Sequence, residues 1–260
     1  MSETALQRRA RRALERQLEY QKRKAGRIRG SEAATIAWMA EHSRAVRGKL
    51  QAVQEIPADA RVLEVGSGAH GLIFYFEAPE RVGVDPLADH YRELFPAWQN
   101  RAKTLAAFGE SLPFADSSFD VVLCDNVVDH AESPRRIVEE LARVLKPGGL
   151  LYFSVNVHHP AYHMAATAHA GWRALRVPFE ITPFADHTVH LTIGAAHRLF
   201  EGLPLAIRWE TNAIDQARRE WRTARPRHMG DRLKRFFFKN ALWEAIAVKE
   251  PELARSPAAP

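Results

Sequence analysis

The segment Glu64-Val65-Gly66-Ser67-Gly68-Ala69-His70-Gly71 constrains the fold of this chain more than any other part of the sequence. It comes at the end of a short apolar run that begins at Val62. Glycines at the end of a buried strand let the chain turn sharply and let a ligand approach the backbone. The segment therefore predicts a strand that ends in a ligand-binding loop, with a helix starting directly after it.

Short apolar runs alternate with helical segments along the rest of the chain, which is typical of βαβ units and a parallel sheet. The predicted strands are 62–65, 81–84, 103–108, 119–124, 150–155, 205–210 and 242–249. The helix between the fourth and fifth strands is well marked, with Ser133 as the predicted N-cap and Pro134 in the first turn. We predict an α/β fold, a seven-stranded, mostly parallel Rossmann-like sheet with helices on both faces.

The predicted domain organisation places an N-terminal helical extension before this sheet. Residues 1–57 hold two helices as a cap or arm, the second of them capped by Ser31. Residues 58–250 form the main domain, in which 157–200 is a predicted lid and 214–239 a basic segment. The Pro- and Ala-rich tail 251–260 is predicted to be disordered.

Composition and charge narrow the class of protein. The chain has 260 residues, 46% of them apolar, and no apolar run long enough for a membrane span or a signal peptide. Cys124 is the only cysteine, which excludes an intramolecular disulfide and favours a cytoplasmic protein. The net charge of +6 is concentrated in residues 8–29 and 218–235. Such clusters bind polyanions in some proteins and are solvated helix faces in others.

Asp85 ends the second predicted strand 19 positions after Gly66, near the offset of about 20 at which an acidic side chain meets the ribose hydroxyls of a bound nucleoside. The spacing of Gly66, Gly68 and Gly71 also fits the dinucleotide fingerprint, so an NAD-dependent oxidoreductase is an alternative. Three features count against NAD. The strand follows about 60 residues of helix, the carboxylate of Glu64 would repel a pyrophosphate, and the chain lacks a second βαβαβ half.

Residues 61–156 resemble the core of the class I S-adenosylmethionine-dependent methyltransferases, especially the small-molecule (methyltransferase type 11-like) group. Five stretches carry the resemblance, in the order and spacing of that family: Val62-Leu63-Glu64-Val65-Gly66-Ser67-Gly68, Val84-Asp85-Pro86, Ser111-Leu112-Pro113-Phe114, Ser118-Phe119-Asp120-Val121-Val122 and Leu145-Lys146-Pro147-Gly148-Gly149. Their joint occurrence is far more specific than any one of them.

The resemblance implies S-adenosylmethionine as cofactor, with S-adenosylhomocysteine as product. The cofactor-binding residues that it implies are Glu64, Gly66, Ser67, Gly68, Asp85, Pro86, Gly109, Glu110, Ser111, Asp125 and Asn126. In this pattern Asp85 binds the ribose hydroxyls, Gly109–Ser111 line the adenine, and Asp125 and Asn126 face the methionine part. Phe108 stands where the family usually has an acidic residue, and a phenyl ring cannot accept the hydrogen bond of the adenine amino group.

Seven histidines between positions 158 and 197 are candidates for the acceptor side of the site. Methyl transfer needs alignment and, for a hydroxyl or amine acceptor, a base that titrates near neutral pH. We predict His187, His158 and His190 as catalytic candidates, because His158 follows the fifth strand and the others precede the Thr192 helix. No metal site is predicted, because His187 and His190 lack further ligands in a metal-binding pattern.

The predicted function is methyl transfer to a small molecule such as a specialised metabolite, a sugar or a lipid precursor. An RNA or protein methyltransferase that uses the basic clusters is an alternative, although no RNA-binding module is recognisable. A non-catalytic S-adenosylmethionine-binding protein is another. A homodimer through the N-terminal helices is also considered.

Overall fold

The computed structural model describes residues 5–28, 31–160, 191–223 and 240–251 of the chain, and these contain a seven-stranded sheet. The strands are β1 (Arg61–Val65), β2 (Glu80–Val84), β3 (Lys103–Leu105), β4 (Phe119–Asp125), β5 (Leu145–Val157), β6 (Leu205–Asn212) and β7 (Ala241–Lys249). Their order across the sheet is β3-β2-β1-β4-β5-β7-β6, and β7 runs antiparallel to the other six strands. The predicted fold class is confirmed.

Strands β1 and β4 are neighbours at the centre of the sheet, although more than fifty residues separate them in sequence. The chain passes from β1 outwards to β2 and β3 and then returns to the other side of β1. Ligands of open parallel sheets bind at the carboxyl ends of the strands at this reversal. The loop after Val65 and the residues after Cys124 therefore meet at one point.

Helices cover both faces of the sheet and bury its apolar side chains. The helices are α1 (Ala5–Ile28), α2 (Glu32–Val53), α3 (Ala88–Leu94), α4 (Pro96–Gln99), α5 (Pro134–Val144), α6 (Ile193–Arg198) and α7 (Ile214–Thr223). Alternate residues of a strand point to opposite faces. Leu63 accordingly packs in the core formed with α5 and α6, whereas Val62 packs in the core formed with α2, α3 and α4.

The N-terminal helices lie against their own domain. Met39, Ser43, Val46 and Leu50 form a buried stripe on α2, at helical spacing. Ser31 is the N-cap residue of α2 as predicted, but its hydroxyl donates to the carbonyl of Ile28 and makes no capping bond. No helix in the described ranges is long and apolar enough to cross a membrane.

Several element boundaries differ from the sequence prediction. The glycine segment leads into a single 3-10 turn (Leu72–Phe74) instead of an α-helix, because β2 begins only a few residues later. Strand β3 ends at Leu105, and β5 begins at Leu145, with an irregularity in its register to β4 that accommodates Gly148 at φ +76°. The side chain of Ser133 makes no capping bond, whereas Thr192 caps α6 as predicted.

Candidate functional site

The glycine loop, residues 66–71, turns back against the end of β2. The N–H groups of Gly66 and Ser67 both donate to the carbonyl of Val84, at 2.7 and 3.1 Å. Gly66 and Gly68 have φ angles of +75° and +52°, which residues with a Cβ rarely adopt. A Cβ at Gly66 would also lie 2.3 Å from a methyl group of Val127, which follows β4. Glycine is therefore required at this crossing of the two chain segments.

Glu64 holds the loop from beneath. Its side chain is buried, and its two carboxylate oxygens accept hydrogen bonds from the N–H groups of Leu72 (3.1 Å) and Ile73 (2.8 Å). Burial raises the pKa of the Glu64 carboxyl to about 8, against the opposing effect of these two N–H donors. These contacts support a role for Glu64 in ordering the loop.

Asp85 lies across from the same loop at the end of β2. Its Oδ2 accepts from the N–H of Gly68 at 3.1 Å and its Oδ1 accepts from the N–H of Leu87 at 2.8 Å. Burial raises the pKa of the Asp85 carboxyl, and the two N–H donors oppose that rise. The structure thus brings together the glycine loop and the acidic residue that the spacing predicted, with Pro86 next to it. Ribose binding by Asp85 stays a prediction.

Gln99 is a loop-positioning residue that the sequence analysis missed. This buried side chain of α4 donates from Nε2 to the carbonyls of Gly68 (3.1 Å) and Ala69 (3.2 Å). The two contacts hold the loop by its carbonyl groups, whereas Asp85 accepts from one of its N–H groups. No local pattern predicts them, because Gln99 lies about thirty residues further along the chain.

The side chains of Ser67 and His70 pack against the domain. Ser67 is buried, and its hydroxyl faces Gly83 of β2. The His70 ring packs edge-on against Phe95 and Trp98, with centroid distances of 4.7 and 4.5 Å. Burial lowers the pKa of His70 to about 4. These two side chains therefore pack the loop onto the domain.

Asp125 and Asn126 end β4 and are held by β5. The Ser154 hydroxyl donates to Oδ1 of Asp125, and the N–H of Asn126 donates to the Ser154 carbonyl at 3.0 Å. Asn126 has φ of +56°, a conformation that asparagine tolerates better than most residues. Its Oδ1 accepts from the side-chain amide of Asn156 at 2.7 Å. The next residue, Val127, lies against Gly66 of the glycine loop. That Asp125 and Asn126 face the methionine part of the cofactor stays a prediction.

His42 of α2 reaches the same carboxylate and was also missed. Its Nε2 lies 3.3 Å from Oδ2 of Asp125, and both side chains are partly exposed. The hydrogen bond with Asp125 raises the pKa of His42, and burial opposes this. Trp38, one turn earlier, stacks on the His42 ring and is 63% exposed. Because 83 positions separate His42 from Asp125, no sequence spacing predicts the pair.

The adenine-side residues are only partly oriented towards the cleft. Gly109 packs against Val65, and a Cβ there would lie 2.9 Å from that side chain. The Glu110 carboxylate turns towards α5, where it accepts from the N–H of Glu132 at 3.2 Å. Ser111 is exposed, and Phe108 is 52% exposed. The Phe108 ring is thus free to pack on a flat ligand.

Of the three predicted catalytic histidines, the described residues include only His158, which directly follows β5. His158 is 1% exposed, and its N–H donates to the carbonyl of Leu191 at 2.7 Å. A role in proton transfer would require this buried side chain to become accessible. His187 and His190 lie outside the described residues. Within the described ranges, no group of three or more His, Cys, Asp or Glu side chains could hold a metal ion.

A separate cavity of about 560 Å³ lies between α2 and the β6–β7 edge of the sheet. Lys49, Gln54, Arg208 and Trp209 are among its lining residues, and none of the predicted cofactor residues is. The cavity is therefore separate from the predicted cofactor site.

Comparison with known proteins identifies the core of the chain. Residues 63–153 match the family described as "Methyltransferase domain". They form a methyltransferase domain. The resemblance read from the sequence, to the class I S-adenosylmethionine-dependent enzymes, is confirmed.

Curated relatives match over part of their length. An uncharacterised methyltransferase of Mycobacterium sp. (strain JLS) is 40% identical over 110 residues, 41% of this chain and 42% of that protein. A thiol S-methyltransferase of Rattus norvegicus is 38% identical over 110 residues, 39% of this chain and 45% of that protein. The match spans less than half the length of each of these two relatives.

Solved structures share the fold of the methyltransferase domain. YcgJ from Bacillus subtilis superposes with a TM-score of 0.56 at 19% identity, covering 81% of this chain and 99% of that one. Geranyl diphosphate C-methyltransferase from Streptomyces coelicolor A3(2), solved with Mg²⁺, geranyl diphosphate and S-adenosyl-L-homocysteine, has a TM-score of 0.55 at 13% identity. It covers 79% of this chain and 77% of that one.

The side chains at the cleft of the methyltransferase domain suit S-adenosylmethionine. This cofactor has a sulfonium, an ammonium and a ribose diol, which all favour carboxylate neighbours. Asp85 follows β2 and Asp125 ends β4, so the two carboxylates lie on either side of β1, whose carboxyl end carries the glycine loop. The donor set therefore fits the cofactor, and the match to the methyltransferase domain family supports the same cofactor.

Proposed function

We propose that this chain transfers the methyl group of S-adenosylmethionine to a small-molecule acceptor. The observation that carries the proposal is the meeting of the glycine loop, Asp85 and Asp125 at one edge of a methyltransferase domain. In the bound state the cofactor supplies an electrophilic methyl group on a positively charged sulfur. The contribution of the protein is to bind, align and exclude water.

Each side of the cleft has a distinct task in this proposal. The Asp85 carboxylate accepts hydrogen bonds from the ribose hydroxyls, and Phe108 packs on the adenine in place of the usual acidic partner. Asp125 and Asn126 hold the charged methionine end. Glu64 and Gln99 do not contact the cofactor in this proposal. They hold the glycine loop in place through hydrogen bonds to its backbone and to the turn that follows it.

The small-molecule acceptor is supported by the N-terminal part of the chain. The α2 helix brings Trp38 and His42 to the end of β4, where they would form one wall of a small acceptor site. One curated relative is a thiol S-methyltransferase, so thiols are the first acceptors to test.

Lys24 of the basic N-terminal cluster is partly buried, which lowers its pKa and indicates packing of α1 on the domain. Leu18 of α1 and Val46 and Leu50 of α2 pack in the core of their own domain, and this packing gives no support to a homodimer through the two helices. The single cysteine, Cys124, is a free, buried thiol in β4. We propose that the protein works in the reducing environment of the cytoplasm.

Cofactor binding is tested first and methyl transfer second. Calorimetric titration of S-adenosylmethionine and S-adenosylhomocysteine into the wild type should give a dissociation constant in the micromolar range. That range corresponds to a binding free energy of about −8 kcal/mol. Asp85→Asn should weaken it at least about tenfold, because Asn keeps the shape but loses the charge-assisted acceptor. Asp89→Asn, an exposed neighbour on α3, is the matched control.

Methyl transfer is then measured with radiolabelled cofactor against alkyl thiols, aryl thiols, phenols and amines, together with bulk RNA and a protein mixture. Incorporation into a small molecule supports the proposal. Incorporation into RNA or protein alone would establish the alternative acceptor class. Binding of NAD in place of S-adenosylmethionine would overturn the proposal altogether.

A further inference from the structure

The His42 side chain lies beside the cleft, can take up a proton, and has no role in the proposed binding of the cofactor. It comes from α2, outside the part of the chain that matches the methyltransferase domain family. The hydrogen bond from its Nε2 to Asp125 joins this helix to the end of β4. Within the described ranges, Asp125 is the only hydrogen-bond partner of the ring. The pair therefore connects the N-terminal extension to the cofactor-binding edge.

The hydrogen bond decides which nitrogen of His42 can accept a proton. An ionised carboxylate is only an acceptor, so Nε2 must carry the hydrogen that Asp125 receives. The neutral ring then has its lone pair on Nδ1. This is the arrangement in which a carboxylate orients an imidazole and stabilises its protonated form in general-base catalysis.

The surroundings of the pair favour a small, partly apolar acceptor. The Trp38 ring lies nearly parallel to the His42 ring, with centroids 5.7 Å apart and an interplanar angle of 14°. With 63% of its surface exposed, Trp38 has an open face, and it is one of three large hydrophobic side chains exposed in the described part of the chain. The His42 and Asp125 side chains are 28% and 23% exposed. An acceptor resting on Trp38 would lie next to a base and next to the cofactor site.

We propose that His42 is the general base of methyl transfer, accepting at Nδ1 the proton of a thiol or hydroxyl acceptor. This inference rests on the proposed methyltransferase function. A lone pair of the acceptor forms the new bond to the methyl carbon, and the carbon–sulfur bond breaks with its electron pair remaining on sulfur. The acceptor proton passes to Nδ1, and the imidazolium is balanced by Asp125. The total charge in the cleft is unchanged.

Charged groups on several elements determine at which pH this base is neutral. Asp125 of β4 raises the pKa of His42, mainly through the hydrogen bond; burial lowers it, Lys49 of α2 lowers it, and Glu244 of β7 raises it. Lys49 and Tyr152 of β5 both donate to Glu244, at 2.6 and 2.8 Å. Because the net pKa is raised, kcat should increase as pH rises through a value above the ordinary 6.5.

The test compares two acceptors that differ in the need for a base. An alkyl thiol is largely protonated near pH 7, whereas an electron-poor aryl thiol is already ionised there. His42→Gln should lower kcat for the alkyl thiol about 100-fold, the low end of general-base effects, and change kcat for the ionised thiol by less than about threefold. The dissociation constant of S-adenosylhomocysteine should change by less than about threefold as well. His90→Gln, an exposed histidine on α3, is the control.

A separate reading comes from the ligand-free chain. Proton NMR titration of the wild type should show the His42 imidazole with a pKa above 6.5, and Asp125→Asn should lower it. Equal losses of kcat on both thiols, or no loss on either, would overturn the assignment of His42 as the base. Weakened S-adenosylhomocysteine binding with unchanged kcat would reassign His42 to cofactor binding. A wild type that binds the cofactor but methylates no acceptor would instead overturn the proposed function, and the base with it.

Discussion

The carboxylate of Glu64 occupies the space that a side chain at position 71 would need. A Cβ on Gly71 would lie 2.3 Å from Oε2 of Glu64 and 2.4 Å from the carbonyl oxygen of Ser67. The same Oε2 accepts the N–H of Ile73. The third glycine of the loop is thus required by a buried acid seven positions earlier, and not by its own backbone angle, which is extended at φ −61°.

Gly71→Ala should therefore destabilise the fold. Relieving the overlap requires displacing either the Glu64 carboxylate or the loop backbone, and such overpacking costs about 1–3 kcal/mol. The free energy of unfolding in urea measures the effect. Gly48→Ala is the matched control, since nothing lies within 4 Å of a Cβ at this exposed position on α2. That change should stabilise the protein by about 0.5–1 kcal/mol. Equal stabilities of the two variants would contradict the crowding at position 71.

The raised pKa of Glu64 predicts a pH-dependent stability. The folded value is about 8 and the ordinary value 4.5, so between these pH values the folded state holds a proton that the unfolded state has lost. Its contribution is fully present below 4.5 and is lost as pH rises through about 8. The melting temperature of the wild type should fall over this range, and Glu64→Gln should reduce the slope.

Glu64→Gln should also separate the hydrogen bonds from the charge. Between these pH values the wild-type carboxyl is protonated, and a protonated carboxyl, like an amide, has one strong acceptor oxygen for the N–H groups of Leu72 and Ile73. The two proteins should therefore differ by less than about 1 kcal/mol near the acidic end of the range. Towards the alkaline end the wild type acquires a buried charge that the amide lacks, so the variant should become the more stable of the two. Glu77→Gln, a surface acid in the same β1–β2 connection, is the control, with a side chain that is 70% exposed. Parallel pH profiles for wild type and Glu64→Gln would rule out a titrating Glu64.

Gln99→Ala should weaken cofactor binding while the fold is kept. Losing the two donors to the carbonyls of Gly68 and Ala69 frees the loop on one side, at a cost of about 1–3 kcal/mol in stability. We expect the dissociation constant of S-adenosylhomocysteine to rise about tenfold. Circular dichroism confirms folding, and Asn100→Ala, the exposed neighbour, is the comparison. Binding identical to the wild type would mean that the loop is held well enough without Gln99.

Trp38→Ala should affect the acceptor and not the cofactor. Because the ring is largely exposed, its removal should change the free energy of unfolding by less than about 0.5 kcal/mol. The KM of an apolar thiol should rise about tenfold or more, with the dissociation constant of S-adenosylhomocysteine unchanged. Tyr20→Ala removes another exposed aromatic side chain, on α1, and should leave both values as they are. A KM that stays constant in Trp38→Ala would exclude the ring from the acceptor site.

The central part of this fold was predictable because its signals are local. Apolar runs such as Val121–Cys124 must be buried on both faces, and the glycine segment can follow only a strand that ends at a ligand site. Asp85 was found because the geometry of adjacent parallel strands ties its position to Gly66. Element boundaries were less predictable. The expected helix after the loop is only Leu72–Phe74, since hydrogen bonds to a buried carboxylate and a short connection replace its first turn.

The sequence by itself determined the α/β class, the methyltransferase resemblance and the position of the cofactor loop, because each depends on residues close together along the chain. Only the tertiary structure decided that Gln99 holds this loop and that His42 bonds to Asp125. Both pairs join elements separated by thirty residues or more, and their geometry depends on how α2 and α4 pack on the sheet. Helical periodicity predicts which face of a helix is buried, but not which polar atom it meets there.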